Sequence, residues 1–203
     1  MEAKTEKIPL YLALVHYPVV NRRHEVIASA ITNLDLHDLA RLTRTYNLPG
    51  CFIVTPLQDQ QELTRQLLSH WRDGIGRELH PQRWQALERL RVVDSIDAAC
   101  AGIGAEVGAR PVLWATSASP TNSTLRHRQA RQLLRHSASQ PATAHLLLLG
   151  TAWGLSSSVL EACDAVLEPI CGASVYNHLS VRCAAAILVD RLVGREAASP
   201  ECA

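Results

Sequence analysis

The 203-residue chain reads as an α/β protein whose mostly parallel sheet carries helices on both faces. Three observations predict this. Short strand-like apolar runs alternate with helical segments along the whole length. Several of those runs are apolar on consecutive residues, as in strands buried on both faces. In the last quarter, His145 to Leu192, two such runs end in glycine-bearing loops before a long helix. Loops after parallel strands are where such sheets bind ligands, so this quarter is the expected site.

In order, Ile8 to His16 is a buried-type strand ended by Pro18, followed by a charged loop from Asn21 to Glu25. Leu34, Leu39, Leu42 and Tyr46 recur at near-helical spacing, with Asp35 as the expected cap and Pro49-Gly50 as the stop. CFIVTP is the next strand, DQQELTRQLLSHW an amphipathic helix and HPQRWQALERL a shorter one. RVVDS is a strand, and SIDAACAGIGAEVG a helix ending at Gly108. PVLWATSA is a strand, SPTNST a turn, LRHRQARQLLRH a basic helix and SASQPAT a linker. The strands Leu146 to Leu149 and Ala165 to Leu167 follow, then a helix that is apolar on nearly every side from Cys183 to Val189. Such a helix belongs in a core or a subunit interface. No composition break cuts the chain, so one domain is expected over 1–203, with an ordered core at 8–195 and tails at 1–7 and 196–203.

Composition narrows the function. A formal net charge of +1 gives no global basic field, so nucleic-acid contacts must come from local patches. The basic residues are 18 Arg and 2 Lys, which suits bidentate phosphate contacts and equally follows from GC-rich codons. None of the six cysteines forms a CxxC pair, which argues against a zinc ribbon; Cys51, Cys163 and Cys183 read as small core residues. No apolar run approaches the roughly 20 residues of a membrane helix, and the first residues lack a signal-peptide core. A cytoplasmic protein without a membrane partner is expected.

Three segments carry the chemistry. Gly150-Thr151-Ala152-Trp153-Gly154-Leu155 leaves a strand and is either a ligand loop or a tight turn with Trp153 packed inward. It matches neither GxGxxG nor a P-loop, and Gly154-Leu155-Ser156-Ser157-Ser158 lacks the second glycine of a hydrolase elbow. Glu168-Pro169-Ile170-Cys171-Gly172 makes a second sharp loop. Two such loops can face one pocket and read a neutral heterocycle through backbone groups. Tyr176-Asn177-His178-Leu179-Ser180-Val181-Arg182 opens the last helix, with Asn177 or Ser180 as cap. For Arg182 a structural ion pair with Asp190 or Glu168 is the plain alternative to a functional role. Asp35, His37 and Asp38 are caps and dipole partners, and no metal is assigned.

Together these segments resemble the cofactor site of the SPOUT (α/β-knot) RNA methyltransferases. More narrowly, the chain resembles the small bacterial family of SAM-dependent RNA methyltransferases. Its pattern is GTxWGL, then PIxG, then YNHLSVRxAxAI, with an upstream LVHYPV and DxHDxAR, here Leu14 to Val19 and Asp35 to Arg41. The resemblance covers most of residues 8–195. It implies a C-terminal trefoil knot, a homodimer, S-adenosyl-L-methionine bound bent in the knot with S-adenosyl-L-homocysteine as product, and an RNA substrate, tRNA or rRNA and not DNA. The cofactor residues it implies are Thr116, Ser117, Leu149, Gly150, Thr151, Trp153, Gly154, Leu155, Pro169, Ile170, Gly172, Asn177, Leu179 and Ser180.

SpoU-type members of that superfamily place a catalytic arginine six residues after an asparagine and five before an aromatic. Arg41, between Asp35 and Tyr46, sits at that spacing and is the catalytic candidate. The chain departs from the pattern at Asp35 in place of asparagine, at Ala152-Trp153 where a glutamate is expected, and at Ser180 and Arg182 in place of asparagine and serine. Arg182 and His178, in the first turn of the last helix, are further candidates to hold the acceptor and to accept its proton. His16 and His37 are alternative bases, since imidazole titrates near physiological pH. RNA phosphates are expected at Arg22, Arg23, Arg41, Arg44, Arg126, Arg128, Arg131 and Arg135, of which 128, 131 and 135 share a helical face. The alternatives are a non-catalytic RNA- or protein-binding module that kept the fold, and a dinucleotide enzyme, which the absent glycine fingerprint disfavours.

Overall fold

A computed structural model describes residues 8–74, 76–139, 142–174 and 176–195. The tails assigned to 1–7 and 196–203 lie outside the described residues. The first strand, β1 (Leu10–Val15), leads into a two-stranded hairpin, β2 (Val19–Val20) and β3 (Val26–Ile27), and then α1 (Asn33–Thr45). β4 (Cys51–Val54) is followed by α2 (Gln58–Asp73), α3 (Gly76–Leu79) and α4 (Pro81–Leu87). β5 (Leu90–Val93), α5 (Ile96–Val107), β6 (Val112–Ala115) and α6 (His127–Ala138) come next. β7 (His145–Gly150), α7 (Ser157–Ala162), β8 (Ala165–Val166) and α8 (Val181–Val193) complete the order.

Six strands form one sheet in the order β5-β4-β1-β7-β6-β8, and every pair is parallel. Side chains alternate along β1. Leu10, Leu12 and Leu14 join the core beneath α1, α4, α6 and α8, whereas Tyr11, Ala13 and Val15 join the core with α5 and α7. Both faces are therefore covered, as the consecutive apolar runs predict. From β1 the chain builds outwards through β4 and β5, then returns to build β6 and β7 on the other side. The order thus reverses between β1 and β7, and the crevice at their carboxyl ends is where such sheets take ligands.

Local expectations were met unevenly. The α1 cap is Thr32, whose hydroxyl accepts from Asp35 N, and not Asp35 itself. Thr32 Oγ1 also donates to Asp35 Oδ2 at 2.6 Å, so the carboxylate supports the cap from the third helical position. Ser180 caps α8 by accepting from Cys183 N, which settles the choice between it and Asn177. The β2–β3 hairpin, α3 and α7 are too short to give a periodic signal. Cys51 is buried, but Cys163 is only half-buried and Cys183 is exposed, because α8 turns Ala185, Leu188, Val189 and Leu192 to the core instead. Among the described residues no helix is long and apolar enough to cross a membrane.

Candidate functional site

A cavity of about 760 Å³ opens at the carboxyl end of the sheet. That size suits a drug-sized ligand. Its walls come from the segment before α1, the loops after β6, β7 and β8, and the first turns of α8. Leu149, Leu155, Leu160, Leu167, Val181 and Leu188 make its apolar surface.

The loop after β7 is shaped by its own backbone. A Cβ on Gly150 would lie 2.6 Å from Leu155 N and 2.9 Å from Gly154 C, so only glycine lets the chain double back. Gly154 has φ +108° and Ala152 also takes a positive φ of 51°. The N-terminal segment straps this loop down. Val20 N donates to Gly154 O, Trp153 N to Val20 O and Thr151 N to Val15 O. The LVHYPV segment contributes Val15 O and Pro18 O, which accept from Thr151 N and Ser156 N, and with Val20 just beyond it holds the loop from the neighbouring strand. Trp153 is 58% exposed, which overturns the inward-packed alternative. Its ring meets the edge of His178 at 6.1 Å, and His178 meets Tyr176 at 5.2 Å.

Proton counting fixes the direction of a hydrogen-bond chain at the cavity wall. Thr151 Oγ1 donates to Val15 O at 3.0 Å, which uses its only proton. Ser29 Oγ, 2.6 Å away, must then donate to Thr151 Oγ1. His16 Nδ1, 2.9 Å from Ser29 Oγ, must in turn be the N–H that donates to Ser29. His16 is fully buried, and burial pushes its pKa from 6.5 to about 4, so it stays neutral. Its Nε2 is then a buried acceptor without a partner among the described residues. Ser29 and Thr151 both line the cavity, and both can offer it only lone pairs. Asp35 and Glu168 line it as well, so its polar groups include an acceptor-rich set suited to a ligand's N–H groups or positive charge.

Arg182 stands behind this wall. Its Nε lies 3.1 Å from Asp35 Oδ1 without hydrogen-bond alignment, and Nη1 donates to Asp38 Oδ2 at 3.0 Å. The expected partners are not used: Asp190 accepts from Tyr46 OH, and Glu168 accepts from His127 N while pairing with its ring. Asn177 Nδ2 donates to Ala118 O, tying the approach to α8 to the loop after β6.

Of the residues proposed from sequence, Thr116, Ser117, Leu149, Gly150, Thr151, Trp153, Gly154 and Leu155 line the cavity. Ile170, Asn177, His178, Leu179 and Ser180 line it too. Pro169 and Gly172 do not; the chain between them turns only Ile170 inward. Arg41 and Arg182 are also absent from the lining, Arg41 because it lies on the exposed side of α1. Sequence reasoning missed Ser29, Ala30, Thr32, Ala118 and Ser119. Glu168, read as part of the second loop and as an ion-pair partner, and Asp35, read as a cap and as the residue at the SpoU asparagine position, line the cavity as well. Ser29 carried no signal of its own, since only the fold brings it to Thr151, 122 positions away. His37 is excluded from the cavity, with its ring edge-on to Trp71 at 5.5 Å. Among the described residues no group of histidine, cysteine and acidic side chains could hold a metal.

A model of the family described as SAM-dependent RNA methyltransferase matches residues 9–194. The chain belongs to the SAM-dependent RNA methyltransferase family. Relatives agree with that membership. A protein of Oleidesulfovibrio alaskensis named tRNA (guanine-N(1)-)-methyltransferase is 46% identical over 91% of this chain, but only 42% of that protein is covered. An uncharacterised Aquifex aeolicus protein is 33% identical, with 92% of this chain and 89% of that one covered. The SpoU methyltransferase AviRb of Streptomyces viridochromogenes, solved with AdoMet, superposes with a TM-score of 0.54 at 14% identity over 93% of this chain and 57% of that one. At that identity the likeness speaks for the SPOUT-type fold. The family's cofactor is S-adenosylmethionine, and the cavity fits it: an apolar, backbone-edged space for a heterocycle and a row of acceptors for a cationic tail.

Proposed function

We propose that this chain transfers the methyl group of S-adenosylmethionine to tRNA, in the cytoplasm, as a homodimer. The observation that carries this reading is the acceptor-lined cavity at the reversal point of the sheet, in a chain of this family. Transfer RNA is favoured by the name of the Oleidesulfovibrio relative. The guanine-N1 part of that name describes a protein more than twice this chain's matched length, so it is not carried over. Dimerisation is favoured by the exposed apolar rim of Trp153, Tyr176 and Leu179 beside the half-apolar outer face of α8. The knot belongs to the same reading, supported by β8 lying outside β6 while α8 returns to pack on α6, α1 and β7.

The cofactor supplies an activated methyl group; the chain supplies position and proton handling. Main-chain groups around Leu149, Gly150, Gly154, Leu155 and Ile170 would hold the heterocycle, with Thr116, Ser117, Asn177, Leu179 and Ser180 closing the other walls. Ser29, Thr151 and Asp35 would receive the positive end. When bound, the cofactor would supply a methyl group on a sulfonium that leaves as the neutral thioether, and His178, which lines the cavity, would take up the proton of the RNA acceptor on a ring nitrogen. Arg182 acts as a positioning residue through Asp35, and Arg41 as a contact for the RNA. Calorimetry with S-adenosylmethionine, followed by methyl incorporation from labelled cofactor into tRNA, tests the reading. Folded protein that binds no cofactor refutes it; cofactor binding without incorporation supports the non-catalytic alternative.

A further inference from the structure

We infer that the outer surface of α1, α2 and α4, built on Arg41, Trp71 and Arg83, is the phosphate track that leads RNA to the cavity. This rests on the reading of the chain as a tRNA methyltransferase and adds where the RNA lies. Arg83, on α4, stacks its guanidinium over the Trp71 ring with Cζ 4.7 Å from the ring centre. That contact holds the planar fork still, so less side-chain freedom is lost when it grips a phosphate. His37 and His80 flank the same ring at 5.5 and 6.2 Å.

Two further observations show that this cluster has unspent positive charge. Among the described residues no carboxylate lies within ion-pair distance of Arg41 or Arg83. The nearest candidate on α1, Asp38, is held by Arg182, and Asp73 is held by Arg72. The field is felt locally: after burial, the charges of Arg83 and Arg41 both push the His37 pKa down, against Asp38. The surface also leads somewhere. Asp35 lines the cavity, and Arg41 is six residues further along the same helix, about 9 Å by helical rise. Six residues also turn Arg41 about 120° away from Asp35 around the helix axis, so the track runs along the exposed side of α1 and approaches the cavity from outside.

The basic helix α6 is the competing track, and its stripe is broken. Arg131 spends its guanidinium on Arg191 O and Gly194 O, closing the C-terminal end of α8. That is a structural duty of the kind the last carbonyls of a helix invite.

The test is anisotropy of fluorescently labelled tRNA with the full chain saturated in S-adenosylhomocysteine, across a salt series. Arg83→Gln should bind about fivefold more weakly at about 0.15 M salt, and Arg41→Gln with Arg83→Gln about 25-fold. The slope of log affinity against log salt should flatten by about 0.7 to 0.9 for each arginine removed. Arg83→Lys should keep that slope, and Arg128→Gln on α6 should bind like wild type. Calorimetry with S-adenosylhomocysteine should give unchanged cofactor affinity, showing each variant folded. A double variant that binds tRNA within twofold of wild type overturns the track while leaving the methyltransferase reading intact. Wild-type protein that binds no tRNA at low salt removes the substrate reading and this surface with it.

Discussion

Arg182 Nε sits 3.1 Å from Asp35 Oδ1, joining the first turn of α8 to the first turn of α1 behind the cavity wall. The pair is unequal. Asp35 is 8% exposed, while the Arg182 side chain keeps about a third of its surface in water. The charge that suffers from breaking the pair is therefore the aspartate.

Arg182→Gln should consequently cost more than a surface ion pair and less than a fully buried one, about 2 kcal/mol. For a chain of this length that lowers the melting temperature by about 4 to 8 °C, readable by circular dichroism. Arg182→Lys restores the charge without the fork and should recover about half. If Arg182 only positions Asp35, the cofactor's apparent KM should rise more than kcat falls. A loss confined to kcat would instead make Arg182 a catalytic residue.

His16 and His145 are buried and neutral when folded, each with its pKa pushed by burial from 6.5 to about 4. An unfolded chain takes up those protons below about pH 6.5. The unfolded state thus binds more protons between these values, so the stability these rings allow is complete above pH 6.5. It is lost as pH falls towards 4, on the order of 3 kcal/mol for each ring. Urea midpoints between pH 7 and 4 should show the fall, and His145→Gln should remove about half of it. A flat profile in wild type would contradict the burial of both rings.

The architecture was legible because β1, β4 and β7 bury both faces and so write uninterrupted apolar runs such as Leu146 to Leu149. The glycine loops were legible because Gly150 and Gly154 answer to backbone geometry that is local in sequence. What stayed hidden depends on long-range contact. Nothing near Ser29 says that its hydroxyl meets Thr151, and nothing near Arg182 says that its partners are Asp35 and Asp38 rather than Asp190. Arg131 reads as part of a solvent-facing stripe until the end of α8 is seen beneath it.

Gly150 and Gly172 were alike in sequence and should behave differently on substitution. The Cβ of Gly150→Ala would press into the Leu155 amide, displacing the strapped loop. Cofactor affinity should fall at least about tenfold, the loss of one good polar contact. The Cβ of Gly172→Ala meets nothing within 4 Å, and this glycine needs no positive φ. Its affinity should stay within about twofold of wild type. Calorimetry on both variants reads the difference, and equal losses would restore Gly172 as a cofactor residue.

The acceptor wall makes a sharper demand on ligand charge. Thr151→Val keeps the shape of the side chain but removes Oγ1, and with it the group that receives the Ser29 proton. Ser29 is then free to point its hydroxyl elsewhere, and the wall loses its enforced lone pairs. S-adenosylmethionine, with a sulfonium and an ammonium, should bind about tenfold more weakly, since hydrogen bonds to charged groups contribute about 1.5 to 3 kcal/mol. 5′-Methylthioadenosine keeps the adenosine but has neither positive charge, so its affinity should barely change. Competition binding of both ligands to wild type and variant separates the outcomes. Equal weakening of the two would mean that Thr151 holds the loop rather than the cationic end, and would return Ser29 and Asp35 to a purely structural role.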